Sequence, residues 1–286
     1  MRHLALLTLI LGCGSKDPAA ISSTATAVAG DAAATLRSEA EAAWNNRSDK
    51  AQLQASLQKY EKIVAGDPKD RDALYHLLRG YYFMGDGHET EKDAKLAVWE
   101  KAIGWGKLCL ALNTDYTALL AKGDEDEATA ARAFTKDDVP CAYWISSALG
   151  KWAKGSGITV TLRHLPTVKA VMTRVGELDP SYFYNGPDRY WGAYYGAIPS
   201  FAGQDLPKSK EMFDKSLAAA PNYLGTTVLL AEIWAAKTGN RAEFERALNW
   251  VIAQPADVIP EVKAEAEAEQ RKAKALLANI DEYFAN

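Results

Sequence analysis

The first group in this chain with chemistry of its own is a thiol. Cys13 ends the run Ile10-Leu11-Gly12-Cys13, which follows a short positive stretch, Met1-Arg2-His3, and an apolar segment from Leu4 to Leu11. That order is the form of a secretory signal ending in a lipobox, where a peptidase cuts before a cysteine whose sulfur is then diacylated. Small Gly12, directly after the apolar segment, favours lipid attachment over a plain signal peptide with an incidental cysteine. Gly14 follows, so no Asp marks retention in the inner membrane, and the leaflet stays open. Cys109 and Cys141 remain. In an oxidising envelope compartment they could pair, or they could be two small buried apolar residues; both readings stand.

Little else points to reaction chemistry. The four histidines, His3, His76, His88 and His164, show no zinc-ligand spacing and no HExxH pattern, and His76 reads as a packing residue inside a helix. Gly123-Asp124-Glu125-Asp126-Glu127 is acidic enough to suggest calcium but lacks the alternating oxygen ligands and glycine of an EF-hand loop, so it reads as a solvated turn. Gly155-Ser156-Gly157 follows no strand and is not a nucleotide loop. No nucleophile elbow appears, and Asp137-Asp138 and Glu177/Asp179 fit helix-terminal charges. The expectation is a protein that is not an enzyme, with no metal and no cofactor beyond the lipid on Cys13. Cleavage before Cys13 removes Arg2 alone, leaving 32 basic against 37 acidic side chains, a balance of −5 that offers nothing to nucleic acid.

Aromatic side chains are the remaining signal. Tyr182, Phe183, Tyr184, Tyr190, Trp191, Tyr194, Tyr195 and Phe201 crowd twenty residues, with Asn185 and Arg189 among them, and Tyr143, Trp144 and Trp152 lie upstream. Taken singly, each such ring is more often core than site. As a set they suit a lined cavity for a mostly apolar ligand with one polar end, or a protein interface anchored by Tyr, Trp and Arg. The candidate lining residues are Tyr143, Trp144, Tyr184, Arg189, Trp191, Tyr194 and Tyr195.

The elements that must position these residues are helical. Alanine is abundant and Val/Ile are sparse, and after the first dozen residues no window is long and apolar enough to span a bilayer. Helices are predicted over 35–45, 49–65, 71–84, 89–112, 139–154 and 163–178, the last with Pro166 in its first turn. A hairpin follows, its first helix opened by Gly186-Pro187 and its second by Pro207. A second hairpin spans 222–238 and 241–252, turning at Gly239-Asn240, and a long amphipathic helix covers 260–284. Residues 113–138 read as an excursion and 158–161 as a β-branched linker. Gly192 and Gly196, four apart, share a face that lets a neighbour approach closely.

Four segments end at Asp67-Pro68, Asp179-Pro180, Ala220-Pro221 and Gln254-Pro255. Eight residues before each proline stand Tyr60, Met172, Phe213 and Ala247, and Leu77/Tyr81 and Leu230/Trp234 share offsets after Pro68 and Pro221. This is a degenerate tetratricopeptide-like register. The predicted fold is all-α, an irregular TPR-like hairpin solenoid or bundle over 35–286, behind a signal peptide (1–12) and a lipidated Ala/Ser/Thr/Gly tether (13–34). The last helix, with Ala264, Ala268, Ala275, Leu276, Ile280 and Phe284 on one side and charges elsewhere, reads as a polar cap.

The run YNGPDRYWGAYYGAIPSFAGQDLPKSKEMFDKSLAAAPNY, with VPCAYWISSALGKWA upstream and EVKAEAEAEQRKAKALLANIDEYF at the end, resembles the T-component of TPR-protein-associated TRAP transporters. The resemblance covers about 36–284 and rests on pattern rather than on catalytic signatures. It implies a periplasmic lipoprotein that forms homotrimers, associates with the P component (the extracytoplasmic solute-binding protein), and carries a cavity or pore that holds or passes a hydrophobic small molecule. The positions matching the family's pattern are Tyr143, Trp144, Tyr184, Gly186, Pro187, Arg189 and Tyr194. Trp191 and Cys141 depart from it and bear on ligand size or trimer contacts. The competing expectation is a TPR-like scaffold lipoprotein in envelope assembly, with a peptide groove and no closed cavity.

Overall fold

A computed structural model describes residues 31–123 and 126–284. Cys13, the signal peptide and most of the tether lie outside the described residues, as do Asp124 and Glu125 of the acidic run. Among the described residues the chain is helical with no strands. The fold is all-α.

The first four helices lie near their predicted places. Helices α1 (Asp31–Asn45), α2 (Lys50–Gly66), α3 (Arg71–Phe83) and α4 (Lys92–Leu110) pack in sequence, each on the next. Asp49 and Asp70 cap α2 and α3 by accepting from the amides of Ala51 and Ala73, which satisfies first-turn donors that lack a helical partner. Tyr60, Met172, Phe213 and Ala247, eight residues before their prolines, are all fully buried. The proline register therefore marks core positions.

α3 does not stop at its glycines. It runs on as a wider π-helical turn, Met84–His88. A Cβ on Gly85 would sit 2.5 Å from the Trp99 ring nitrogen, so the glycine allows α4 to cross closely. Residues 113–138 are more ordered than an excursion. They form α5 (Thr114–Ala121), α6 (Glu127–Ala130) and short 3-10 turns, and bury Phe134 and Asp138. Asp138 accepts from Arg71 (2.9 Å), Asn113 (2.7 Å) and Thr135 (2.9 Å); burial raises its pKa, but these bonds outweigh it and hold the carboxyl below its ordinary value. It stands at the start of α7, as the helix-end reading expected, and is a structural hub as well.

α7 (Val139–Ser156) and α8 (Ile158–Leu178) meet at Gly157, whose φ of +114° makes the break in one residue. No linker is needed, and the β-branched run at 158–161 is the first turn of α8, correcting the expectation. Val160 is buried there, and the Thr161 hydroxyl donates to the carbonyls of Ala153 and Gly157, both at 3.0 Å. Pro166 consequently stands inside α8 rather than in its first turn. Cys109 on α4 and Cys141 on α7 are joined as a disulfide, the pairing that the sequence had left open.

α9 (Tyr182–Ala197) and α10 (Leu206–Ala219) form the aromatic hairpin. Its right-handed part begins at Gly186-Pro187, as the proline predicted. Ahead of it, Phe183, Tyr184 and Asn185 have φ values of +47°, +58° and +55°, one left-handed turn of three residues with side chains. Such residues cost about 1–2 kcal/mol each. Gly192 and Gly196 are close-approach positions: a Cβ would lie 2.7 Å from Phe213 on α10 and 2.5 Å from Ile233.

α11 (Leu224–Leu229) widens into a π-helical stretch, Leu230–Ala235, followed by α12 (Arg241–Ala253) and α13 (Lys263–Ala278). The predicted last helix is shorter than 260–284: it breaks at Asn279 before a final turn, α14 (Ile280–Tyr283). Nor is α13 a polar cap. It packs on α11 and α12 and reaches back to the π-helical turn after α3, so Glu265 is buried and some of its charges face inward. The first and last parts of the array thereby enclose a space between them.

Candidate functional site

That space is a cavity of about 960 Å³ bounded by α3 and its π-helical turn, α4, α7, α9, α11 and α13. One wall is apolar and aromatic. Tyr82 and Trp144 pack with centroids 5.0 Å apart, Trp99 donates from its ring nitrogen to the Tyr82 carbonyl (3.3 Å), and Val228, Leu229 and Leu276 continue the surface.

The inner end is built around Arg189, which projects from the right-handed part of α9 and is only 4 % exposed. Its guanidinium donates to the carbonyls of Phe183 (3.0 Å) and Tyr184 (3.1 Å), and to the Tyr143 hydroxyl (2.9 Å). The Ser216 hydroxyl donates to the carbonyl of Asn185 at 3.2 Å. Each carbonyl of the left-handed turn thus has a side-chain donor, which offsets the cost of that backbone. Gly186 completes the fit, since a Cβ there would sit 2.7 Å from the Tyr143 oxygen. The Arg189 guanidinium also lies 4.3 Å from the Tyr223 ring centre. Burial opposes its charge, yet the neighbouring Tyr143 and Tyr223 oxygens outweigh that and keep its pKa above the ordinary value.

Beside it, Arg79 on α3 lies 5.4 Å from the Trp144 ring centre and 4.9 Å from that of Phe183. Arg79 and Arg47 share one carboxylate, Glu265 on α13, at 2.8 and 2.6 Å. Burial raises the Glu265 pKa, but the two guanidinium groups prevail and it stays below its ordinary value.

Towards the π-helical turn Lys151 and Lys272 are paired with carboxylates. Asp86 accepts from Lys151 on α7 and from Lys272 on α13 (2.6 Å), and Lys272 also reaches Glu269 (2.8 Å). Against the penalty of burial, the two lysines hold the Asp86 carboxyl well below the usual carboxylate range. The network ties three elements together across the cavity.

The structure brings Tyr143, Trp144 and Arg189 onto the cavity lining and leaves the other sequence candidates off it. Tyr184 stacks on Tyr223 (5.1 Å, 12°) and donates its hydroxyl to Glu261 at 2.6 Å. Trp191, Tyr194 and Tyr195 form a half-buried chain of ring contacts, with Trp191 5.2 Å from Tyr194 and 5.8 Å from Tyr195. Sequence reasoning missed Arg79, Tyr82, Asp86, Tyr223, Glu265 and Lys272. A signal was present for two of them: Glu265, Ala268, Lys272 and Ala275 repeat at helical spacing, so the charges share a stripe with the alanines. Among the described residues no cluster of His, Cys, Asp or Glu could hold a metal, and no helix is long and apolar enough to cross a membrane.

The model of the TRAP transporter T-component family matches residues 49–284. The chain belongs to that family. No curated protein matches it. The match takes in the elements that line the cavity. Membership of the T-component family gives the protein a role associated with TRAP transport, and with it a place in the cell envelope among the other transporter components.

Proposed function

We propose that this T-component is a lipid-anchored periplasmic subunit that docks its transporter's solute-binding protein and holds or passes a small, largely apolar ligand through the cavity between α3 and α13. The cavity carries the reading. It is large enough for an organic ligand, its wall is aromatic, and a few convergent polar groups stand at its inner end, the general form of a small-molecule site. The Cys13 lipid would tether the domain at the membrane where the transporter works, and a homotrimer is the assembly that the family resemblance implies. The protein acts as a carrier rather than an enzyme.

Native mass spectrometry of the gently purified protein, alone and mixed with the solute-binding protein of its transporter, tests this. The expected result is a trimer carrying a stoichiometric organic adduct and forming a complex with the solute-binding protein. A ligand-free monomer that ignores that protein would overturn the reading and move the weight to an envelope scaffold.

A further inference from the structure

The cavity's charges are unevenly matched. Near the π-helical turn, Lys151 and Lys272 have Asp86 and Glu269. At the inner end, the lining residue Arg79 shares the single carboxylate of Glu265 with Arg47, which is not itself on the lining. Arg189 forms no ion pair among the described residues, and its acceptors are two carbonyls and the hydroxyls of Tyr143 and Thr226. Three guanidinium groups therefore share one negative charge. The Nε of Arg79 is buried with no hydrogen-bond partner, and no hydrogen bond from the Arg189 Nε is present among the described residues. Carbonyl dipoles solvate a cation without neutralising it, and burying unmatched charge is costly. The whole chain has a net charge of −4, so this local excess runs against composition.

We infer that the cavity takes an amphipathic organic anion, with its carboxylate or phosphate headgroup seated against Arg189 beside Arg79 and its apolar tail along the Tyr82–Trp144–Leu276 wall. The inference rests on the cavity being the ligand site. Guanidinium groups suit this task because they stay charged and offer fixed donors to an oxyanion. A low-dielectric wall strengthens the attraction. A neutral amphiphile would leave the imbalance in place, and a cationic one would add to it.

The test is isothermal titration calorimetry of the purified protein with octanoate, octyl phosphate, octanol and octylammonium, which share a tail and differ in headgroup. At least one anion should bind about tenfold or more tighter than octanol, with octylammonium weakest. In Arg189→Gln the ratio of anion to octanol affinity should shrink to threefold or less by the same logic. Because Arg189 also holds the 183–185 turn, a measurement on the unaltered protein stands beside the variant. Raising salt from about 0.02 to about 0.5 M should weaken binding of the anion and leave octanol unchanged. Octanol binding as tightly as both anions would overturn the inference while leaving the cavity reading intact. Failure of all four probes would remove the cavity reading and the inference with it.

Discussion

Arg47 and Glu265 are 218 residues apart in sequence, and their side chains meet at 2.6 Å, both nearly buried. This contact joins the loop after α1 to α13, and with Arg79 it makes a three-member charge cluster. Removing the carboxylate would leave two largely buried guanidinium groups without a counter-charge, held only by the carbonyls of Trp44 and Glu261 and the Tyr75 hydroxyl. Glu265→Ala is expected to destabilise the fold by about 3–5 kcal/mol, the range for stripping one member from a buried pair. Arg246→Ala breaks an exposed contact with Glu243 and should cost less than about 1 kcal/mol. Urea unfolding of the two variants beside the parent checks this, and equal losses would show that Glu265 is not held as described.

The aromatic hairpin yields a packing prediction. Gly192 lies against Phe213 and Gly196 against Ile233 and Ser209, at distances no added methyl group could keep. Gly192→Ala would gain helix propensity but must displace a fully buried ring. The net expectation is a loss of about 1–3 kcal/mol, the usual cost of overpacking, read from the denaturation midpoint. Gly239→Ala, at a turn with φ +67° and nothing near its Cβ, should be destabilising through backbone strain instead.

Much of this fold was legible, for physical reasons that can be named. Proline is costly in a helix interior, and those at 68, 180, 221 and 255 each stand just past a helix end, with a buried position eight residues before. Pro187 and Pro207 likewise opened their helices near the predicted places. What stayed hidden depends on contacts between distant segments. The left-handed turn at 183–185 has no glycine to announce it; it exists because Arg189 and Ser216 bind its carbonyls. Ile158–Thr161 looked like a linker because β-branching disfavours helix, yet Val160 gains burial in α8. The charges of α13 looked solvent-facing because no local rule says that the chain returns to α3. For the cavity, Tyr143, Trp144 and Arg189 were visible as an aromatic pair and a cation within a crowd of aromatic residues. Arg79, Glu265 and Lys272 were not, since their partners lie up to 218 residues away.

Acid should weaken the protein in two stages. His88 donates from Nε2 to the carbonyl of Arg47 (2.9 Å), and burial, reinforced by Arg271 and Lys50, depresses its pKa below the ordinary 6.5. Above 6.5 its contribution is fully present. As the pH falls from there towards the folded value, the unfolded chain takes up a proton that the folded one resists, and stability declines. Asp86 and Glu265 have the same sign lower down. Their folded pKa values are depressed, so their contribution holds above the ordinary carboxylate range and is lost as pH falls through the folded values. Urea midpoints measured from pH 7.5 down to about 3.5 should show both declines. His88→Gln should remove the first and spare the second. A flat profile from about 7 to 5 in the parent would rule out the His88 contribution.

The disulfide offers the last test. Cys109 and Cys141 tie α4 to α7 across a separation of 32 residues, and α7 carries Tyr143 and Trp144 next to the bond. Closing a loop of that length restricts the unfolded chain by about 3–4 kcal/mol. Reduction should therefore lower the thermal midpoint, and the double variant Cys109→Ala/Cys141→Ala should match the reduced protein and be insensitive to reductant. Both cysteines are buried among apolar neighbours whose packing does not depend on the bond's covalency, so the helices are expected to survive, with far-UV circular dichroism below the midpoint unchanged. Intact mass should rise by the two hydrogens of reduction only after unfolding exposes the bond to reductant. Free thiols titrating in the native, unreduced protein at these two positions would contradict the pairing.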